Sequence, residues 1–293
     1  MIKVELLDYT KDGEKLIALS FKKSLYLQKI SDEEIEKLIT ETIKRGYWSL
    51  WELSNYVFEI ECSNICIQHF TKSSYIHQTI LKDLLNDLGN MIGRPCEEFN
   101  YSCHIINLDE FEKKLVDARN QVEEYNLLSI IEKYFYIPST IKQNKELYNE
   151  YISYIISSIR IYLFMLIMAI PHEDAQYVFP QTINSRLIIQ MNARELATVF
   201  IPNGTCAQTQ KEARSIAWRI LLKLENIHPK LFSYIGPKCI LLENMVREQL
   251  LKIRDVINPE TRVEFTIDRC PYGVNRENIR ICVIKSFENA LNL

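Results

Sequence analysis

Glycine is scarce in this chain, seven in 293 residues, and none of the seven falls in a Gly-x-Gly-x-x-Gly or Gly-x-x-x-x-Gly-Lys-Ser/Thr spacing. Both phosphate-cradling loops need glycine so that backbone N–H groups can approach the anion, so a Rossmann dinucleotide site and a P-loop are excluded. Histidine is scarce too: five, scattered, with no His-Glu-x-x-His, and no metal centre is expected from them. The chain also lacks a surplus of charge. With a formal net charge of -3 and a pI near 6.0, it has no basic field for nucleic acid or a membrane surface, and an anionic ligand must be held by a local cluster. The longest hydrophobic run, Ile161 to Ile170, is too short to span a bilayer and is expected as a buried core helix. The first eight residues alternate and already carry Glu5 and Asp8, as in a strand and unlike a secretory signal, so a cytoplasmic protein is expected.

Cysteine is present but unpaired in pattern. The eight lie at 62, 66, 96, 103, 206, 239, 270 and 282 with no Cys-x-x-Cys, which reads as reduced, mostly buried thiols. Cys62 and Cys66 have no matching second pair to complete a zinc site.

What the chain does have is apolar content for a core, 47% hydrophobic, with no linker-like or repeated segment, so a single helix-rich α/β domain over 1–293 is expected. Ser31-Asp-Glu-Glu34 is a capping box, with Ser31 accepting from a backbone N–H and Glu34 reaching back; the helix it opens should run to about Arg45 and stop at Gly46. Asn55 to Cys62 alternates with aromatic and β-branched residues and predicts a strand. A helix is predicted from Ile65 to about Leu88, and two or more long helices between Asp109 and Ile170, broken around Tyr136-Ile-Pro-Ser. Arg262 to Asp268 alternates again and predicts another strand.

Two regions carry chemistry-bearing residues. One is Gly46-Tyr-Trp-Ser49-Leu-Trp-Glu52-Leu, followed by the strand and then Gln68-His-Phe-Thr-Lys72-Ser73-Ser74. The other is Pro171-His-Glu-Asp-Ala-Gln176-Tyr-Val-Phe-Pro180, then Asn192-Ala-Arg194-Glu-Leu, then Gln210-Lys-Glu212-Ala-Arg214. In order and spacing these resemble the flavin-dependent thymidylate synthases, whose members read Gly-His-x-Ser-x-x-Glu-His, Arg-Gln-x-x-Arg-His-Arg, Pro-x-Glu-x-Ala-Arg-x-x-Leu-Pro, Asn-x-Arg-x-Leu and Ala-Gln-x-Glu-Ile-Arg. The second region is kept better than the first, where Lys72 is the surviving cation and Lys82 stands in place of a family Ser.

The resemblance implies a helix-rich α+β fold with a small, mainly antiparallel sheet. It implies an FAD site faced by Ser49, Lys72, Ser73, Ser74, Asn192, Arg194 and Thr198, and a dUMP site at His69, Lys72, Gln176 and Asn203. Asn203 takes the position of the arginine that activates the uracil, and Gln176 that of an arginine contacting the nucleotide. Neutral amides hydrogen-bond but do not stabilise an anion as a fixed cation does. Nearby Arg186, Lys211 and Lys82 are candidates to replace the lost charge. The family reaction makes dTMP with methylenetetrahydrofolate and NADPH in a homotetramer. Three functions follow: that synthase, a non-catalytic paralogue assembled with an active family member, or a flavoprotein with a different substrate. From the residues alone, Asn192 also reads as a helix N-cap, and Glu212 and Arg214 as structural charges on a helix that turns Ile216, Ala217 and Trp218 inward.

Overall fold

The computed structural model describes residues 2–22, 30–68, 74–77, 84, 87 and 124–291. Along the chain the main elements are β1 (Lys3–Tyr9), α1 (Gly13–Phe21), α2 (Asp32–Arg45), β2 (Asn55–Ser63), β3 (Ser74–His77), α3 (Glu124–Tyr134), α4 (Lys145–Ile167), β4 (Asn184–Asn192), α5 (Lys211–Ile227), α6 (Lys238–Val246) and α7 (Arg276–Leu291). The sheet has the order β1-β2-β4-β3. It is antiparallel where β2 meets β4: the Asn64 N–H donates to the Ile183 carbonyl at one end, and the Ala193 N–H to the Ser54 carbonyl at the other. This is the expected helix-rich α+β fold. Among the described residues no helix is long and apolar enough to cross a membrane.

Local signals set most boundaries. The Ser31 hydroxyl accepts from the Glu34 N–H at 3.2 Å, and Gly46 ends α2 in the left-handed region, at φ 68°, where a side chain would be strained. The reciprocal half of the box is replaced, because the Glu34 carboxylate pairs with Lys22. In β2 the alternation of the sequence becomes alternation of burial, with Tyr56, Phe58, Ile60 and Cys62 inward.

Contacts divide the chain into two compact units, one of residues 61–69 and 76–187, the other of 2–60, 70–75 and 188–293. The first is built on α3 and α4, which bury Ile131, Tyr134, Phe135, Ile155, Ile159 and Tyr162 in one cluster. Residues 135–138 break the two helices, as Tyr136-Ile-Pro-Ser predicts. The second unit packs α5 between its neighbours, with Ile216, Ala217 and Trp218 fully buried and the Trp218 indole donating to Ser286 of α7 at 3.2 Å.

Gly204 shows how closely this second unit packs: a Cβ there would fall 2.6 Å from the Cβ of Ala217 on α5. Gly204→Ala should therefore cost about 1–3 kcal/mol, as overpacking does when the neighbour is a short, immobile side chain. Urea unfolding of the variant checks this, with a lower midpoint and an unchanged slope expected.

Three expectations are corrected. The helix predicted from Ile65 ends after one turn, Asn64–Ile67, and the chain is extended again at Ser74–His77; β3 pairs beside β4, and ladder bonding overrides the local helical spacing. The run from Ile161 to Ile170 is not buried all round. Tyr162, Leu163 and Leu166 face the core, while Ile161, Phe164 and Met168 are exposed and the helix stops at Ile167. Arg262 to Asp268 forms no ladder and bends at Ile267 and Asp268. Its Thr266 and Ile267 N–H groups go to the Glu243 carboxylate and its Glu264 carbonyl accepts from Arg247, so side chains take the bonds a neighbouring strand would have made.

Candidate functional site

The second unit gathers four of the sequence-selected residues. After β4 the Asn192 side chain caps the next turn, its Oδ1 accepting from the Glu195 N–H at 2.8 Å. The cap leaves the Asn192 amide nitrogen, with two donors, for other use. Two positions on, the Arg194 guanidinium pairs with the Glu52 carboxylate of the 3-10 turn Trp48–Leu53, which also carries Ser49. Both members of that pair are about half exposed. Ser49 is exposed, and the Thr198 hydroxyl donates to the Arg194 carbonyl at 2.8 Å. The donors of Ser49, Asn192 and Arg194 thus come from two adjoining short turns joined by the Ala193–Ser54 backbone bond.

Backbone geometry then changes. Leu196–Phe200 is a π-turn, in which the Ile201 N–H reaches the Leu196 carbonyl five residues back. Pro202 follows at once and has no N–H to give, which favours a widened turn over a regular helix at this point. Asn203 comes next, exposed, at the end of the short helix Ile201–Gly204, with its carbonyl accepting from the Thr209 hydroxyl at 2.6 Å. The turn 205–210 is pinned by Arg214, whose guanidinium donates to the Ala207 carbonyl at 2.6 Å; burial holds that guanidinium below its ordinary pKa. Gln210 caps α5 by accepting from the Ala213 N–H at 2.8 Å. Arg214 is thus structural here, as the helix reading predicted, and Glu212, the other charge of that reading, is buried in the first turn of α5.

Gln176 belongs to the first unit, where its side-chain amide donates to the Glu173 carbonyl at 3.1 Å. Beside it in sequence, His172 meets the Tyr162 hydroxyl at 2.7 Å through Nδ1, and burial holds the imidazole below its usual pKa. Arg186 pairs with Glu61 at 3.3 Å. Ser74 opens β3. His69, Lys72, Ser73 and Lys82 lie outside the described residues. Glu52 is the functional candidate that a search for cations and hydroxyls passes over; its signal was present as the Glu of Gly-x-x-Ser-x-x-Glu.

A family model described as thymidylate synthase complementing protein matches residues 5–78 and 94–230, spanning both units. The chain is 32% identical to the flavin-dependent thymidylate synthase of Saccharolobus solfataricus over 98% of this chain and 97% of that one. The chain belongs to the flavin-dependent thymidylate synthase family. Relatives of the same name from Sulfurisphaera tokodaii and Aeropyrum pernix are 31% and 30% identical, each over at least 96% of this chain. The pairing of Arg194 with Glu52 beside the Asn192 cap presents a cation and neutral donors on one accessible surface.

That arrangement fits an anionic, hydrogen-bonding cofactor. A guanidinium held by one carboxylate through one edge keeps further N–H donors, and its half-exposed position spares it the cost of full burial.

Proposed function

We propose that this protein is a flavin-dependent thymidylate synthase that holds FAD through Ser49, Asn192, Arg194 and Thr198, with Lys72, Ser73 and Ser74 completing the same site. It methylates dUMP reductively to dTMP with methylenetetrahydrofolate and NADPH, working as one synthase domain in a homotetramer. The observation that carries the reading is the Glu52–Arg194 pair next to the capped Asn192. Bound flavin supplies the hydride chemistry. The chain supplies the rest: Arg194 offsets phosphate charge, Ser49 and Asn192 donate hydrogen bonds, and Glu52 fixes the direction in which Arg194 points.

The nucleotide site is recast. The resemblance assigns Gln176 and Asn203 to the nucleotide, and neither contributes positive charge, so dUMP is held weakly and turned over slowly. These two amides also support a second reading, a flavin-binding paralogue that assembles with an active family member. Purified protein should be yellow after gel filtration and release tritium slowly from 5-tritiated dUMP with NADPH and the folate. Colourless protein that takes up no added FAD overturns both readings, and yellow protein without tritium release leaves the second.

Returning the charge should strengthen the nucleotide complex. For Gln176→Arg with Asn203→Arg, the KM for dUMP is expected to fall by roughly 10-fold or more, since one charge-assisted hydrogen bond contributes about 1.5–3 kcal/mol. Steady-state kinetics at fixed folate check it.

A further inference from the structure

Four of the eight cysteines line a single small cavity in the second unit. Cys206, Cys239, Cys270 and Cys282 reach it from four separate segments, and the wall between them is largely apolar, including Pro271, Val274 and Val283. No step of the proposed reaction uses these thiols. All four are free.

A hydrogen bond ties together the two segments that carry Cys206 and Cys282. The Ser286 hydroxyl of α7 donates to the Thr205 carbonyl at 2.7 Å. Cys206 is the residue after Thr205. Cys282 is one helical turn before Ser286, and side chains at that spacing lie on one face of a helix with Cβ atoms about 5–6 Å apart. Ile279, Cys282, Val283 and Ser286 accordingly all line the same cavity. Cys206 and Cys282 are also the half-buried members of the four, whereas Cys239 and Cys270 are buried. Electrostatic coupling agrees with this pairing. After the effect of burial, the strongest thiol influence on Cys282 is Cys206, and the strongest on Cys239, which burial pushes up to about 12, is Cys270.

We propose that Cys206 and Cys282 form a reversible disulfide that staples α7 to the turn following Asn203. The oxidant is a low-molecular-weight disulfide such as oxidised glutathione. The thiolate of one cysteine attacks it, forming a mixed disulfide and expelling one glutathione thiolate. The second cysteine, giving up its proton, attacks the protein sulfur of that mixed disulfide and expels the other glutathione. Two protein thiols are oxidised, one glutathione disulfide is reduced to two glutathiones, and the two protons end on the released thiols. The 76-residue separation of Cys206 and Cys282 makes this a long closed loop, so the staple restricts the unfolded chain strongly. It also limits the movement of the turn between Asn203 and Gln210. The proposal concerns thiol chemistry alone and holds whether or not the protein binds flavin.

The test is a thiol map of the whole protein. After equilibration with oxidised glutathione, removal of the reagent and alkylation in denaturant, peptide mass spectrometry should show Cys206 joined to Cys282, two fewer free thiols than in the reduced protein, and full return with dithiothreitol. The melting temperature of the oxidised form should rise, and Cys239→Ser should leave the bond intact. In Cys206→Ser the crosslink should be lost and Cys282 should carry glutathione instead. Separate alkylation of Cys206 and Cys282 in oxidised wild type overturns the proposal without reference to any variant's folding. So does a Cys239–Cys270 bond formed in its place, or one equivalent of zinc retained on purification and lost in serine variants of all four cysteines.

Discussion

Glu243→Ala is expected to destabilise the protein by about 3–5 kcal/mol, the cost of removing one partner from a buried charged cluster. The Glu243 side chain is fully buried. Its carboxylate accepts from the Thr266 N–H at 2.8 Å, the Thr266 hydroxyl at 2.9 Å, the Ile267 N–H at 3.1 Å and Arg247 at 2.7 Å. Alanine would leave two backbone donors and a guanidinium without their acceptor, in a segment that has no ladder to fall back on. Glu243→Gln should cost less, because its amide oxygen still accepts. Equilibrium denaturation of the three proteins gives the ranking, wild type above Gln above Ala; equal stability of wild type and Ala would refute the assigned role.

The same carboxylate sets an acid limit. Burial would raise the pKa of Glu243, but the bonds from Ile267, Thr266 and Arg247 outweigh it and hold the carboxyl below the usual value of 4.5. A depressed folded-state pKa means stability that is fully present above the unfolded value and lost as pH falls through the folded one. Unfolding free energy should therefore fall below about pH 4.5 more steeply in wild type than in Glu243→Gln.

Arg194→Ala is expected to weaken FAD binding by roughly 10- to 100-fold, corresponding to loss of a charge-assisted hydrogen bond of about 1.5–3 kcal/mol. Folding should change little, since Arg194 is half exposed and its partner Glu52 returns to solvent. Arg194→Lys should restore only part of the affinity, because an ammonium cannot bond Glu52 and a phosphate from the two edges of one plane. Glu52→Gln should fall between wild type and Ala, leaving the charge of Arg194 and loosening its orientation. Titration of flavin fluorescence checks the series; wild-type affinity in Arg194→Ala would remove Arg194 from the site.

Much of the candidate site could be read in the sequence because its parts are short and local. Ser49 and Glu52 share one turn, and Asn192, Arg194 and Thr198 lie within seven residues after one strand. What spacing cannot show is a partner far along the chain. Arg194 finds Glu52 across 142 positions, and nothing in either segment alone names the other. The Arg262 segment departs from the expected strand for a related reason: alternation predicts extended backbone but not what satisfies its hydrogen bonds, and here that acceptor is a glutamate 23 residues away.

The sequence by itself determined the elements whose signals are local: the capped start and glycine stop of α2, the alternating β2, the break before α4 and the family motifs in their order. Periodicity and capping involve residues within a few positions of each other, so no tertiary information is needed to see them. Only the tertiary structure decided which buried groups meet. Ser54 donates to the Tyr56 hydroxyl, which bonds His228 at 2.7 Å, whose other ring nitrogen reaches the Lys11 carbonyl. Gly13 is glycine because a Cβ there would fall 2.3 Å from the Ser54 oxygen. The four thiols around one cavity are of the same kind. Their closeness is a property of packed helices and turns, and in the chain successive ones stand 33, 31 and 12 residues apart without a pattern.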